Sequence, residues 1–146
     1  MFSKTFGYAL RAVVYIAVHG KEGTRVGVME IADRLKIPHH FLGKIMQDLV
    51  RKGVIDSAKG PTGGFYINAK TLEVPLMEIL AITDGAAVFE TCILGFEHCS
   101  SINPCPLHHH FVSCRNGMKQ VFLQRKLGDL ANDVDGGLAH LATVLS

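Results

Sequence analysis

Apolar residues return at steps of three and four along the first twenty positions: Phe6, Leu10, Val13, Val14, Ala17 and Val18. That spacing predicts an amphipathic helix, with Tyr8, Arg11 and Tyr15 toward its other side. The "HGKEG" stretch ends it. A second apolar stripe, Ile31, Ala32 and Leu35, predicts a short helix over Val28–Leu35. Ile37-Pro38 then makes a turn, because proline restrains the residue before it away from helix. "HHFLGKIMQDLVRKG" predicts a further helix with Phe41, Leu42, Ile45, Met46, Leu49 and Val50 inward and Gly53 as its stop. Two short helices across a tight turn form a helix-turn-helix.

Past Gly53 the period changes. Val54 and Ile55 begin a strand, and Phe65, Tyr66 and Ile67 return as another. Between them lies a glycine-rich tip with Lys59, Gly60, Pro61, Gly63 and Gly64, too long for a two-residue hairpin turn. The tip lacks the spacing and terminal Lys-Ser/Thr pair of a phosphate-binding loop. "VPLMEILAITDG" predicts a helix packed through Leu76, Ile79, Leu80 and Ile82. Leu107, Phe111, Cys114, Met118, Val121 and Phe122 mark the apolar side of a longer helix from Pro106 to Gln124, with proline at its first position. The final stretch, from "LGDLANDVDGG" onward, reads as a short helical turn that frays. The fold class is mainly α with a β-hairpin wing: a winged helix-turn-helix plus a long dimerisation helix. The expected divisions are 1–84 for the winged domain, 85–105 for a cofactor-binding loop, and 106–146 for the dimerisation helix and tail.

Composition adds polarity to this outline. With 48% hydrophobic and 19% charged residues, the 146-residue chain can build a core. No apolar run approaches the length of a membrane span, and Arg11 interrupts the one stretch that resembles a signal peptide. A cytoplasmic protein is expected. The net charge of +2 is divided unevenly: residues 1–70 carry +6 and residues 71–146 carry −4. A basic first half suits a polyanion, and double-stranded DNA is the expected partner.

In a helix-turn-helix the second helix enters the major groove. Its exposed positions would be His39, His40, Lys44 and Gln47, with Gln47 suited to adenine and Lys44 to guanine or phosphate. Arg51, Lys52 and Lys59 suit backbone or minor-groove contacts, and Thr62 sits beside Lys59 on the wing. One small winged domain makes a modest interface. A homodimer on palindromic DNA is therefore expected, joined through the Pro106 helix.

"CILGFEHCSSINPCPLHHH", Cys92 to His110, adds a different chemistry. It holds three cysteines and four histidines in nineteen residues. Clustered thiols in a reducing compartment point to metal or redox chemistry rather than to a disulfide scaffold. Cys105 would stand at a helix start, where backbone N–H groups favour a thiolate. His108, three residues on, shares its side and is the leading fourth ligand; His98, His109 and His110 are alternatives. Cys114 lies in the apolar stripe and reads as a buried structural residue. Thiolates with imidazole suit zinc, copper(I) or an iron–sulfur cluster, and the paired C-x2-C knuckles of many structural zinc sites are absent. A metal-free thiol switch is a further possibility. No cluster of residues offers a nucleophile and base, so no enzyme is expected.

Taken together, "KTFGYALRAVVYIA", "IADRLKIPHHFLGKIMQDLVRKGVI", "AKGPTGGFYI" and the cysteine loop ending "PCPLH" resemble the winged-helix iron–sulfur transcription regulators typified by IscR and NsrR. The resemblance spans Phe2 to Leu130. It implies a cytoplasmic homodimer on palindromic promoter DNA, holding a [2Fe-2S] or [4Fe-4S] cluster through Cys92, Cys99 and Cys105. Cluster loss, oxidation or nitrosylation would change DNA affinity. His108 matches the histidine that completes the site in the iron–sulfur regulator. Some nitric-oxide sensors use a carboxylate from the partner's first helix, but this chain has no Asp or Glu before Glu22. That leaves His108 or a small external ligand. Gly43 stands where the iron–sulfur regulator has a glutamate that helps to choose its DNA site, so the operator is expected to differ.

Overall fold

The structure is a computed structural model that describes residues 2–21 and 23–142. Its first helix, α1 (Lys4–His19), is the centre of the molecule. The Ser3 hydroxyl caps it by accepting the Phe6 N–H. Ala9, Ala12, Val13, Val14 and Ile16 are fully buried, and Phe6 nearly so. A helix apolar on so much of its circumference must be packed from several sides. Accordingly α1 touches α2 (Val28–Leu35), α3 (His39–Arg51), α4 (Leu76–Thr83) and α6 (Leu127–Asp135). Leu10, Ala17 and Val18, placed on the buried stripe from sequence, are only half-buried. The small residues Ala9 and Ala12 take that place, because they let neighbouring helices approach.

Ser3 also fixes the start of α1 to the end of α4. Its hydroxyl and its N–H both donate to the Asp84 carboxylate. Burial pushes this carboxyl up, but the hydrogen bonds from Ser3 and Thr83 outweigh it and hold it below its ordinary value. Its contribution to stability is therefore present above pH about 4 and is lost as pH falls through the lowered value. Asp84→Asn is expected to flatten this part of the acid melting profile. Identical profiles from pH about 3 to 7 would remove Asp84 from that role.

The helix-turn-helix is closed by Lys36, whose left-handed backbone (φ 57) ends α2. At the end of α3 Gly53 takes φ 77, and the Val54 N–H returns to the Leu49 carbonyl. Val54 and Ile55 are fully buried but precede the first strand, β1 (Asp56–Ala58). They therefore serve the core rather than the ladder. β1 pairs antiparallel with β2 (Gly64–Tyr66), Ser57 opposite Phe65. Val26, ahead of α2, exchanges two hydrogen bonds with Phe65, at 2.9 and 2.7 Å. Two glycines are required here. A Cβ on Gly63 would lie 2.3 Å from the Ala58 carbonyl oxygen, and one on Gly64 would lie 2.7 Å from that of Val26. At the wing base Thr71 is buried and donates its hydroxyl to the Val54 carbonyl at 2.7 Å.

After α4 a 3-10 turn (Ala86–Phe89) leads into an irregular segment and then α5 (His108–Gln124). The helix begins two residues later than expected, leaving Pro106 outside it. Phe122 stacks near Phe2, Phe6 and Phe89, with ring centroids 5.1 to 5.6 Å away, and anchors the far end of α5. The C-terminal stretch is more than a turn. α6 carries fully buried Leu127 into the core, and Leu127 N–H donates to the Val74 carbonyl. Arg11 donates to the carbonyls of Leu35 and Leu141, both at 2.6 Å. Among the described residues, no helix is long and apolar enough to cross a membrane.

Candidate functional site

Two regions carry the residues singled out from sequence. The first is the outer side of α3 and the wing. His39, His40, Lys44, Gln47, Arg51, Lys52, Lys59 and Thr62 are all exposed. His40, Lys44, Gln47 and Arg51 follow helical spacing and share one side of α3, opposite buried Leu42, Ile45, Met46 and Leu49. Arg51 pairs with Asp48, three residues before it. Phe41, expected inward, is 55% exposed, and its ring lies tilted against the His40 ring, centroids 4.3 Å apart. The inward row passes through Leu42 and Ile45, so Phe41 falls one position short of the core. It stands instead beside an open cavity of about 540 Å³ bounded by Thr5, Lys44, Asp48 and Thr83. A Cβ at Gly43 would meet nothing within 4 Å.

The second region is the segment between the 3-10 turn and α5. Cys92, Cys105 and His108 are buried, and Cys99 is half-buried. His98, His109 and His110 are exposed. The four buried or half-buried side chains form two pairs. Cys99 Sγ lies 3.4 Å from His108 Nδ1, and the Cys105 side chain is near enough to Cys92 to act on its thiol. Gly95, at φ 84, turns the chain back so that its N–H meets the Cys92 carbonyl. Burial pushes the Cys92 thiol up, yet the N–H groups of Phe96, Leu94 and Gly95 and the Cys105 thiol bring it below its ordinary value. His108 N–H donates to the Cys105 carbonyl at 3.0 Å, which joins the loop to the first turn of α5.

Sequence reasoning missed one member of this group. Arg115, two helical turns after His108, is buried, and its Nη1 donates to Cys99 Sγ at 3.2 Å and to the Thr91 carbonyl at 2.9 Å. The seven-residue interval from His108 was the available signal. Its Nε is buried without a partner. Cys114 corrects an expectation in the other direction: it is exposed, not buried. Leu107 and Val121, seven residues to either side of it, are exposed too. Only the Phe111, Met118 and Phe122 side of the expected stripe leans inward.

Among the described residues, no three His, Cys, Asp or Glu side chains are gathered closely enough to hold a single metal ion. The donor set itself, three thiols and an imidazole withdrawn from solvent, has the soft character that iron–sulfur clusters require. Arg115, with an unpartnered buried donor, adds positive charge beside it. The residues fit an anionic, sulfur-ligated group.

Comparisons with known proteins agree with the fold. The family model for Rrf2, described as an iron-dependent transcriptional regulator, matches residues 2–133. An HTH-type transcriptional regulator of Aquifex aeolicus is 35% identical over 90% of this chain and 92% of its own length. The IscR regulator of Photorhabdus laumondii is 28% identical over 69% of this chain and 60% of its own length. Among solved structures, CymR, the global cysteine regulator of B. subtilis, superposes with a TM-score of 0.72 at 19% identity, covering 90% of this chain and 96% of CymR. T. potens IscR superposes at 0.70 and 16% identity, covering 96% of this chain and 92% of that structure. A winged helix with this matching span identifies a DNA-binding regulator rather than an enzyme: the chain belongs to the Rrf2 family of transcriptional regulators.

Proposed function

We propose that the chain is a homodimeric regulator of transcription whose affinity for palindromic promoter DNA is set by an iron–sulfur cluster, [2Fe-2S] or [4Fe-4S], held by Cys92, Cys99, Cys105 and His108. The observation that carries this reading is the withdrawal of Cys92, Cys105 and His108 from solvent, with Cys99 against His108, in a segment continuous with α5. A bound cluster supplies a centre that nitric oxide, oxidants or iron shortage can alter or remove. The chain's own part is to hold the loop against α5 and to carry its arrangement to the reading heads. The exposed row of Cys114 and Val121 on α5, with Leu107 just ahead of it, offers an apolar surface to a second copy. His39, His40, Lys44 and Gln47 are assigned to the major groove, and Arg51, Lys52, Lys59 and Thr62 to the DNA backbone and minor groove. Binding to chromosomal DNA sets the working location in the cytoplasm.

Purification without oxygen tests the proposal. Brown protein with near-equal iron and acid-labile sulfide is expected. Colourless protein that refuses reconstitution would reject the cluster. One observation favours a second reading in that event, a thiol switch: Cys92 and Cys105 are both buried in the same segment, with the Cys105 side chain near the Cys92 thiol. One zinc per chain would instead indicate a structural metal.

Lys59 provides an independent check of the DNA assignment. Lys59→Ala is expected to weaken binding to operator and unrelated DNA alike, and to reduce the salt slope by about 0.9 for the lost phosphate contact. Cluster content is expected to stay the same. Unchanged affinity across a salt titration would remove Lys59 from the interface.

A further inference from the structure

α5 is seventeen residues long, yet the side chains it buries are His108 and Arg115. Both reach Cys99. Arg115 is only 8% exposed, and among the described residues no carboxylate lies within ion-pair distance of it. A guanidinium keeps its charge in any environment a protein offers. Burying it without a counter-charge is costly, and a buried donor without an acceptor adds to that cost. Arg115 shows both features. Its Nη1 is engaged by Cys99 Sγ and the Thr91 carbonyl, while its Nε is an orphan. The polypeptide thus presents a positive charge and a free donor beside a thiol-rich site that, once loaded, is negative.

We infer that Arg115 is a positioning residue for the bound cluster: it ties Thr91 and Cys99 to α5 and supplies the counter-charge for three thiolates. The inference rests on the cluster reading above. Arg115 is not a ligand. Its first role is mechanical, since one guanidinium nitrogen holds two points of the loop, eight residues apart, against the helix. Its second is electrostatic, since a fixed positive charge favours the more negative, reduced state of a neighbouring redox centre. The two roles separate experimentally. Lysine retains the charge but cannot reproduce the planar fork. Glutamine retains polarity and much of the length but not the charge.

The full-length wild type, Arg115→Gln and Arg115→Lys would be reconstituted anaerobically with iron and sulfide. Three quantities would be read: iron and sulfide per chain, the one-electron midpoint potential, and amide exchange across residues 91–99 in the cluster-free protein. In loaded proteins a lower potential is expected for Arg115→Gln and a potential near wild type for Arg115→Lys. Equal potentials in all three would overturn the inference. Where a protein takes up no cluster, amide exchange decides. Exchange about tenfold faster in Arg115→Gln is expected, the change that corresponds to losing one hydrogen bond to a charged group. Unchanged exchange would overturn the anchor. A wild type that takes up neither iron nor sulfide would reject the cluster proposal itself, and the exchange comparison would still judge the contact between Arg115 and the loop.

Discussion

Replacing Cys99 by alanine is expected to abolish uptake of iron and sulfide while leaving the winged helix folded. Cys99 is the thiol that both His108 and Arg115 reach. His108 Nδ1 lies 3.4 Å from its sulfur and Arg115 Nη1 lies 3.2 Å away. The residue is only half-buried and is not part of the hydrophobic core, so its truncation leaves little cavity. Iron and sulfide analysis after anaerobic reconstitution reads the first effect, and thermal melting of the cluster-free protein reads the second. DNA affinity should move to the value of the cluster-free wild type, a shift of about 5- to 150-fold if the coupling is of ordinary size. Iron and sulfide at wild-type levels would sink the ligand assignment.

The largest loss of stability is expected from Leu127→Ala. Leu127 is fully buried, and its N–H closes onto the Val74 carbonyl while α6 lies along α1. Truncating such a leucine costs about 2–5 kcal/mol, because the transfer energy of the lost methyl groups is joined by that of an unfilled cavity. Denaturant unfolding at one fixed protein concentration measures it, since a dimer's stability depends on concentration. A cost under about 1 kcal/mol would show that α6 stands outside the cooperative unit.

How much of this was legible follows the physics of each signal. Helices α2, α3 and α4 and the glycine-rich wing could be read because their apolar spacing and turn residues act locally. The turn at Gly53 depends only on a left-handed backbone that glycine favours. Phe41 and Cys114 were misplaced because both sit at the margin of an apolar stripe, where one position decides between core and surface. α6 was underestimated because its stability comes from a distant helix, α1, and its own nine residues carry few strong formers. At the cysteine segment the sequence singled out His108, and it is the one of the segment's four histidines that the fold buries. The separation into two pairs was not legible, because it depends on a loop without periodicity. Arg115 escaped for a similar reason. A single arginine on a helix ordinarily faces solvent, and only the folded loop reveals what it holds.

The two hydrogen bonds between Val26 and Phe65 have a mechanical consequence. They clasp the wing to the chain just ahead of α2, and Thr71 clasps the wing's other end to Val54, just beyond α3. The proposed reading head is therefore stiff, with the tip of Lys59 and Thr62 and the shaft of α3 set in one mount. A stiff tool is not retuned by reshaping its edge. In the function proposed above, events among the thiols would then act on its aim: where one copy points relative to the other, and so the spacing between half-sites that both can grip at once.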